Sequence, residues 1–249
     1  MLIPGIVSVT FRPFTVQKIT EISRQSGLSS IEWGGDIHVP PLDLQAIENA
    51  KSFSEKNGLD IASYGSYYRC DGNESEMIGI IDSANRLGAS HIRVWAGKTG
   101  SDDTDDENRL SIVENLRIFC EIAKNKGITV SPEFHGGTLT DHYESAVRLV
   151  NEVGASNLGL YWQPNQHRDE NYNIAALRAV LPYLTNVHVF SWNGTKKFPL
   201  IEHELIWQKY IDIIRSYDQR KHHLLMEFVC DGTEDQFKRD AEVLLKWLG

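Results

Sequence analysis

The feature that most constrains this chain is a strand-then-helix unit that recurs about every thirty residues, with glycine closing the helices. Gly27, Gly58, Gly88, Gly127 and Gly154 each follow an amphipathic run and precede the next apolar segment by a few residues. A helix commonly ends on a left-handed residue, and glycine takes that conformation without a Cβ clash. Short apolar strands alternating with amphipathic helices specify α/β with a parallel sheet. Eight such units in 249 residues predict a closed (β/α)8 TIM barrel rather than an open doubly wound sheet. The first strand is not followed by the GxGxxG of a dinucleotide fold. No composition shift marks a second domain, so residues 1–249 are read as one barrel domain.

The pattern predicts strands at Ile6–Phe11, Ser30–Trp33, Ile61–Tyr67, His91–Ala96, from Thr129 onward, Leu158–Gln163, Asn186–Trp192 and His223–Val229. Between them it predicts helices to Gln25 from an opening at Pro13 and Thr15, then at 43–57, 74–87, 108–126, 141–153, 172–184 and 204–217. Thr233 and Gln236 form a capping-box pair that opens the last helix, which ends near Trp247. The acidic loop Gly100–Glu107 reads as a solvated cap for the following helix, since it lacks the spacing and closing glutamate of an EF-hand.

Net charge is −9, the wrong sign for neutralising phosphates, which counts against a nucleic-acid partner. Cys70, Cys120 and Cys230 show no paired spacing and read as reduced thiols. The N-terminus runs straight into a strand without a basic leader, and no apolar run is long enough to span a membrane. The expectation is a cytoplasmic protein with no membrane association.

The stretch Thr129–Thr140, TVSPEFHGGTLT, begins as a strand and sets Glu133 and His135 two residues apart, hence on one face. A carboxylate and an imidazole are costly in a hydrophobic core, but they suit the mouth of a parallel barrel, where strand-end side chains face a pocket. The sixth strand ends in Gln163, the seventh carries His188 and the eighth ends in Glu227. Four neighbouring strands thus each bring an oxygen or nitrogen donor to one end. The set Glu133, Gln163, His188 and Glu227 suits one divalent cation, Mn²⁺, Mg²⁺, Zn²⁺ or Co²⁺, with the two carboxylates balancing its charge. Without an ion, Glu133 and Glu227 would repel, and one of them would take up a proton.

With these residues in view, the chain resembles the sugar isomerase and epimerase group of xylose isomerase-like barrels, which also includes endonuclease IV, ketose 3-epimerases and dehydroshikimate dehydratase. The residues that carry the resemblance are IEWGGDIHVPP (Ile31–Pro41), HIRVWAG (His91–Gly97), PEFHGGTLT (Pro132–Thr140), NVHVFSW (Asn186–Trp192) and LLMEF (Leu224–Phe228). The group's usual strand-end ligands are Glu, Asp, His and Glu. Gln163 stands where the aspartate is usual. Gln166 stands where its epimerases have a histidine, and His167 follows one position later.

The resemblance implies proton abstraction next to a carbonyl on a small-molecule sugar, or a sugar derivative with or without phosphate. The cation would act as a Lewis acid and stabilise an enediolate. Glu133 and Glu227 would serve as ligands and as the acid–base pair. His38, Tyr67, Arg93, Trp95, His135, His167 and Trp192 are the substrate-pocket candidates, with Arg93 equally suited to an ion pair with Glu32. The same abstraction beside a leaving group gives elimination, hence a dehydratase or keto-glycoside lyase. A DNA-repair endonuclease would need more metal ligands and less acidity. A sugar-binding barrel that has lost tight metal binding is the non-enzymatic reading. The resemblance also makes a homo-oligomer an expectation.

Overall fold

In the computed structural model, which describes residues 1–249, eight parallel strands curl into a nearly closed barrel with helices between them. The barrel strands are Leu2–Val7, Ser30–Gly34, Asp60–Gly65, His91–Val94, Thr129–Pro132, Leu160–Trp162, Leu184–Val189 and His222–Met226. They pair in the order fifth, fourth, third, second, first, eighth, seventh, sixth. The seam between the fifth and sixth is closed by isolated parallel bridges, Val130 with Leu158 and Glu133 with Tyr161. The architecture is the (β/α)8 TIM barrel expected from the sequence period.

The glycine punctuation works as the pattern predicts. Gly27, Gly58, Gly88, Gly127 and Gly154 have φ of 77°, 65°, 86°, 70° and 65°. Helix starts are capped by side chains: Thr15, Asp43, Asn73, Asp105, Asp169 and Thr233 each accept a backbone N–H from the first turn. Asp105 belongs to the acidic loop, and Asp106 and Glu107 lie in the first turn of the helix Asp106–Lys124, so that charge meets the helix dipole.

Several boundaries differ from the sequence pattern. The first strand is Leu2–Val7, and Ser8–Phe11 forms a 3-10 turn instead of continuing it. The cause is Ser8, whose hydroxyl accepts the Gly34 N–H at 2.8 Å and draws the chain over the end of the second strand. The sixth helix spans Glu170–Val180, not 172–184. Asp169 caps it early, and Pro182, which has no N–H to donate, ends it in a short 3-10 turn before Leu184 starts the next strand. Beyond the seventh strand the chain makes a small hairpin, Trp192–Asn193 against Lys196–Lys197. The fifth helix starts at Tyr143, two residues past the expected point.

The core lies in the shell between strands and helices, where Ile19, Leu149, Leu177 and Phe237 are fully buried. Each such side chain contributes about 1.5–3 kcal/mol relative to exposure. Trp162 and Trp207 stack edge-to-face with Tyr210 at 5.0 and 5.4 Å, locking the sixth strand to the helix Glu204–Tyr217. No helix is long and apolar enough to cross a membrane.

Candidate active site

The expected donors converge. Glu133 and Gln163 directly follow the fifth and sixth strands, His188 lies near the end of the seventh, and Glu227 directly follows the eighth. One ligand atom each of Glu133, His188 and Glu227 falls within 4.8 Å of the others. His188 Nδ1 is 3.2 Å from a Glu133 carboxylate oxygen, Oε1, and 3.5 Å from Glu227 Oε2. Gln163 Oε1 sits 3.0 Å from the same nitrogen, and its amide Nε2 donates to the Phe134 carbonyl at 2.7 Å.

Glu133 is held on all sides. Its backbone N–H donates to Val94 at 2.9 Å, and its carbonyl accepts the Thr140 hydroxyl. Its Oε2 accepts the Trp95 indole N–H at 2.6 Å and an Arg93 N–H, which leaves Oε1 facing His188. Glu227 is fixed through the backbone instead. Phe228 takes a left-handed φ of 58° and donates its N–H to Thr10 Oγ1 at 3.0 Å. That conformation is uncommon outside glycine, and the Thr10 hydroxyl holds the backbone next to Glu227 in it.

The charges are uneven. Burial by itself would raise the Glu133 carboxyl, but the Arg93 guanidinium, His188 and Trp95 hold it well below the usual carboxylate range. Burial raises Glu227, His188 draws it back, Glu133 pushes it up again, and it settles at about 7. Burial disfavours the His188 imidazolium, yet the facing carboxylates of Glu227, Glu133 and Glu32 reverse this and lift it to about 10. Glu133 is therefore the ionised member of the pair and Glu227 the one shared between its protonated and ionised forms near neutrality, because Arg93 bonds to Glu133 and not to Glu227.

Arg93, Glu133, Gln163 and Glu227 line the floor of a cavity of about 420 Å³ at the C-terminal face of the barrel, and His188 is buried behind them. Tyr67, Arg93, Trp95, His135, His167 and Trp192 line it as expected. Trp95 and His135 rings lie 4.5 Å apart, and Trp95 packs edge-on to Tyr67. His38 does not line the cavity: its Nδ1 meets Ser8 Oγ at 3.0 Å and its ring packs against Trp33. Arg93 is 3% exposed and is shared by two carboxylates, Glu32 at 2.8 Å and Glu133. The reading from sequence did not include Asp141, Asn165, Gln166, Phe190 or Phe228, which also line the cavity. Two of these carry a sequence signal: Phe228, adjacent to Glu227, and Gln166, at the position where the resembled epimerases have a histidine. A larger hollow of about 560 Å³ lies at the opposite face. Its cations are already paired, Lys221 with Asp60 at 2.7 Å and Arg220 with Asp218 at 2.5 Å, and no carboxylate cluster converges there.

Fold and site together define a (β/α)8 barrel with a polar strand-end cavity, and comparison gives the family. The sequence profile of the xylose isomerase-like TIM barrel family matches residues 21–247, and the chain belongs to that family. It is 24% identical over 276 aligned positions to 3-dehydroshikimate dehydratase of Bacillus anthracis, covering 96% of this chain and 95% of that one. Among solved structures, the probable 3-DHS dehydratase AsbF of Bacillus anthracis superposes with a TM-score of 0.81 at 19% identity, covering 98% of this chain and 99% of that one. The apo 3-keto-D-glucoside 4-epimerase YcjR of E. coli gives 0.75 at 16% identity, covering 99% of each chain.

Proposed function

We propose that the chain, read as one barrel domain, is a divalent-metal-dependent carbohydrate isomerase or epimerase that works by proton abstraction next to a carbonyl. The observation that carries this reading is the convergence of Glu133, His188 and Glu227 within 4.8 Å of one another, with both carboxylates lining the cavity. The donor set fits an ion. Two carboxylates offset its charge, the imidazole turns Nδ1 towards them, and Gln163 adds an amide oxygen. We assign Glu133, Gln163, His188 and Glu227 as the residues that would hold it. When bound there, a divalent cation supplies Lewis-acid polarisation of a substrate carbonyl.

Glu227 is the proposed base. A carboxyl near neutrality both takes and returns a proton at working pH. Its carboxylate removes the hydrogen on the carbon beside the carbonyl. The C–H electron pair becomes a C=C bond, and the carbonyl π pair moves to oxygen, giving an enediolate. Returning the proton to the former carbonyl carbon, while the adjacent hydroxyl passes its proton to the former carbonyl oxygen, isomerises the sugar; for epimerisation Glu227 keeps the proton it took and the second carboxylate of the pair, protonated from solvent, delivers one to the opposite face. Glu133, held ionised by Arg93, is the second carboxylate of the proposed acid–base pair.

Tyr67, Trp95, His135, His167 and Trp192 are the proposed substrate contacts, with aromatic faces suited to the C–H side of a sugar. The one Lys or Arg that lines the cavity is Arg93, and its charge is already shared by Glu32 and Glu133. The proposed substrate is accordingly an uncharged hydroxy-ketone rather than a phosphate ester.

A second reading is elimination from the same carbon, giving a dehydratase or keto-glycoside lyase. It is favoured by the likeness to 3-dehydroshikimate dehydratase along 96% of the chain. One experiment separates the two. Mn²⁺-loaded protein is incubated in D₂O with free ketoses, their phosphates, a keto-glycoside and 3-dehydroshikimate. Deuterium next to the carbonyl without new ultraviolet absorbance supports isomerisation or epimerisation. An unsaturated product absorbing in the ultraviolet supports elimination. No exchange with any of them contradicts both.

A further inference from the structure

Beneath the cavity floor lies a second layer of polar groups centred on Glu32. This carboxylate, on the second barrel strand, is fully buried. Its Oε1 accepts Arg93 Nε–H at 2.8 Å and faces His188 Nε2 at 3.6 Å. Its Oε2 accepts the Ser63 hydroxyl at 2.6 Å. Ser63 takes the Tyr161 hydroxyl at 2.7 Å, and the Tyr161 oxygen takes Asn186 Nδ2–H at 2.8 Å. The third strand is cut away for this group: a Cβ on Gly65 would fall 2.6 Å from Glu32 Oε1 and 3.0 Å from Arg93 Nη2. An apolar side chain would fill the same space without the cost of desolvating a charge.

The other end of His188 shows what Glu32 does. Nε2 of His188 is buried and has no hydrogen-bond partner. The carboxylate facing it is Glu32. An imidazole that binds a metal through one nitrogen usually gives the proton on the other to a carboxylate or carbonyl, which fixes both tautomer and ring orientation.

We propose that Glu32 is the positioning residue of the ion site. It keeps the His188 proton on Nε2, so that the Nδ1 lone pair faces Glu133 and Glu227. It also anchors Arg93, which bonds Oε2 of Glu133 and leaves Oε1 for the site. The proposal rests on reading Glu133, His188 and Glu227 as an ion site. It requires the 3.6 Å separation, too long for a hydrogen bond, to shorten when an ion is held.

The test uses the full-length protein loaded with Zn²⁺, which is diamagnetic. Two-bond ¹⁵N–¹H spectra of the imidazoles report which His188 nitrogen carries the proton, with the signal assigned by its loss in His188→Gln. The expected result is a proton on Nε2. Calorimetry should show Glu32→Gln binding Zn²⁺ about 10–100-fold more weakly, the range for lost outer-shell partners, with the single Nε2–H form replaced by a mixture. Glu32→Asp should recover part of the affinity and the single form. A proton on Nδ1 in the wild type overturns the proposal, and that readout depends on no Glu32 variant. Wild-type affinity in a folded Glu32→Gln variant also overturns it. Failure of the wild type to bind Zn²⁺ is a different result: it removes the ion site itself, and the role of Glu32 with it.

Discussion

Nδ1 of His188 stands 3.5 Å from Oε2 of Glu227; burial and the Glu133 carboxylate raise the proton affinity of Glu227, and the carboxylates of Glu227, Glu133 and Glu32 raise that of His188. Such a pair stores protons that an ion must displace. The ion-binding equilibrium therefore carries a pH signature.

Below about pH 7 both His188 and Glu227 are protonated, and an ion has to release two protons; between about 7 and 10 only His188 still holds one. Ion affinity should thus rise with pH, with log K climbing about two units per pH unit in acid and about one above neutrality. Calorimetry in buffers of different ionisation enthalpy counts the protons directly. A pH-independent affinity between 6 and 8 contradicts this arrangement.

Glu227 is the group proposed to move the substrate proton. Glu227→Gln keeps the shape and removes the base, so turnover should fall by about 10²–10⁴, the usual contribution of general acid–base catalysis. The check is steady-state kinetics on a substrate identified by hydrogen exchange. Full turnover in this variant would remove Glu227 from the proton-transfer role.

Gln163 contributes a neutral oxygen beside His188 Nδ1. Gln163→Asp adds a negative charge there and should tighten Mn²⁺ binding by about tenfold, since ligand charge tunes affinity at oxygen sites. It also removes the Nε2–H bond to the Phe134 carbonyl, which should lower thermal stability slightly. Unchanged affinity would place Gln163 outside the donor set.

The barrel is legible in the repeat of strand, helix and glycine alone. The strand-end positions of Glu133, Gln163 and Glu227 follow from the same counting, because a residue that ends a barrel strand has one mouth to face. Other features depend on pairing that no local pattern carries. Tyr161 reaches Ser63 across 98 residues of chain, and this link supports Glu32 below the site. His38 reads as a pocket residue from its place after the second strand, yet Ser8 turns it aside. The Ser8–Phe11 turn that does so reads as strand in the sequence, since its apolar residues are simply buried in another conformation. Residue types at the site are visible in the sequence; the direction of each ring nitrogen and carboxylate oxygen is not.

The opposite end of the barrel predicts acid sensitivity. His223 is buried and its imidazolium is disfavoured first by that burial and then by Lys221 and His91, which lowers it to about 3; His91 is lowered to about 4 by burial, His222 and Lys221. An unfolded histidine binds a proton near 6.5, so between about 6.5 and 4 the unfolded chain holds more protons than the folded one. These two groups contribute stability that is complete above about 6.5 and is lost as pH falls towards 4. Urea unfolding at pH 5 and 7 should give a lower midpoint at 5, and His223→Gln should flatten that difference. An equal midpoint at both pH values in the wild type contradicts it.

The claim on which the rest depends is that Glu133, His188 and Glu227 hold one divalent ion. Elemental mass spectrometry of unchelated protein, beside a Glu133→Ala/Glu227→Ala double variant, tests it most directly. The account predicts about one divalent ion per chain in the wild type and none in the variant. No ion in either, even after incubation with Mn²⁺, would contradict it and leave a metal-free sugar-binding barrel in its place.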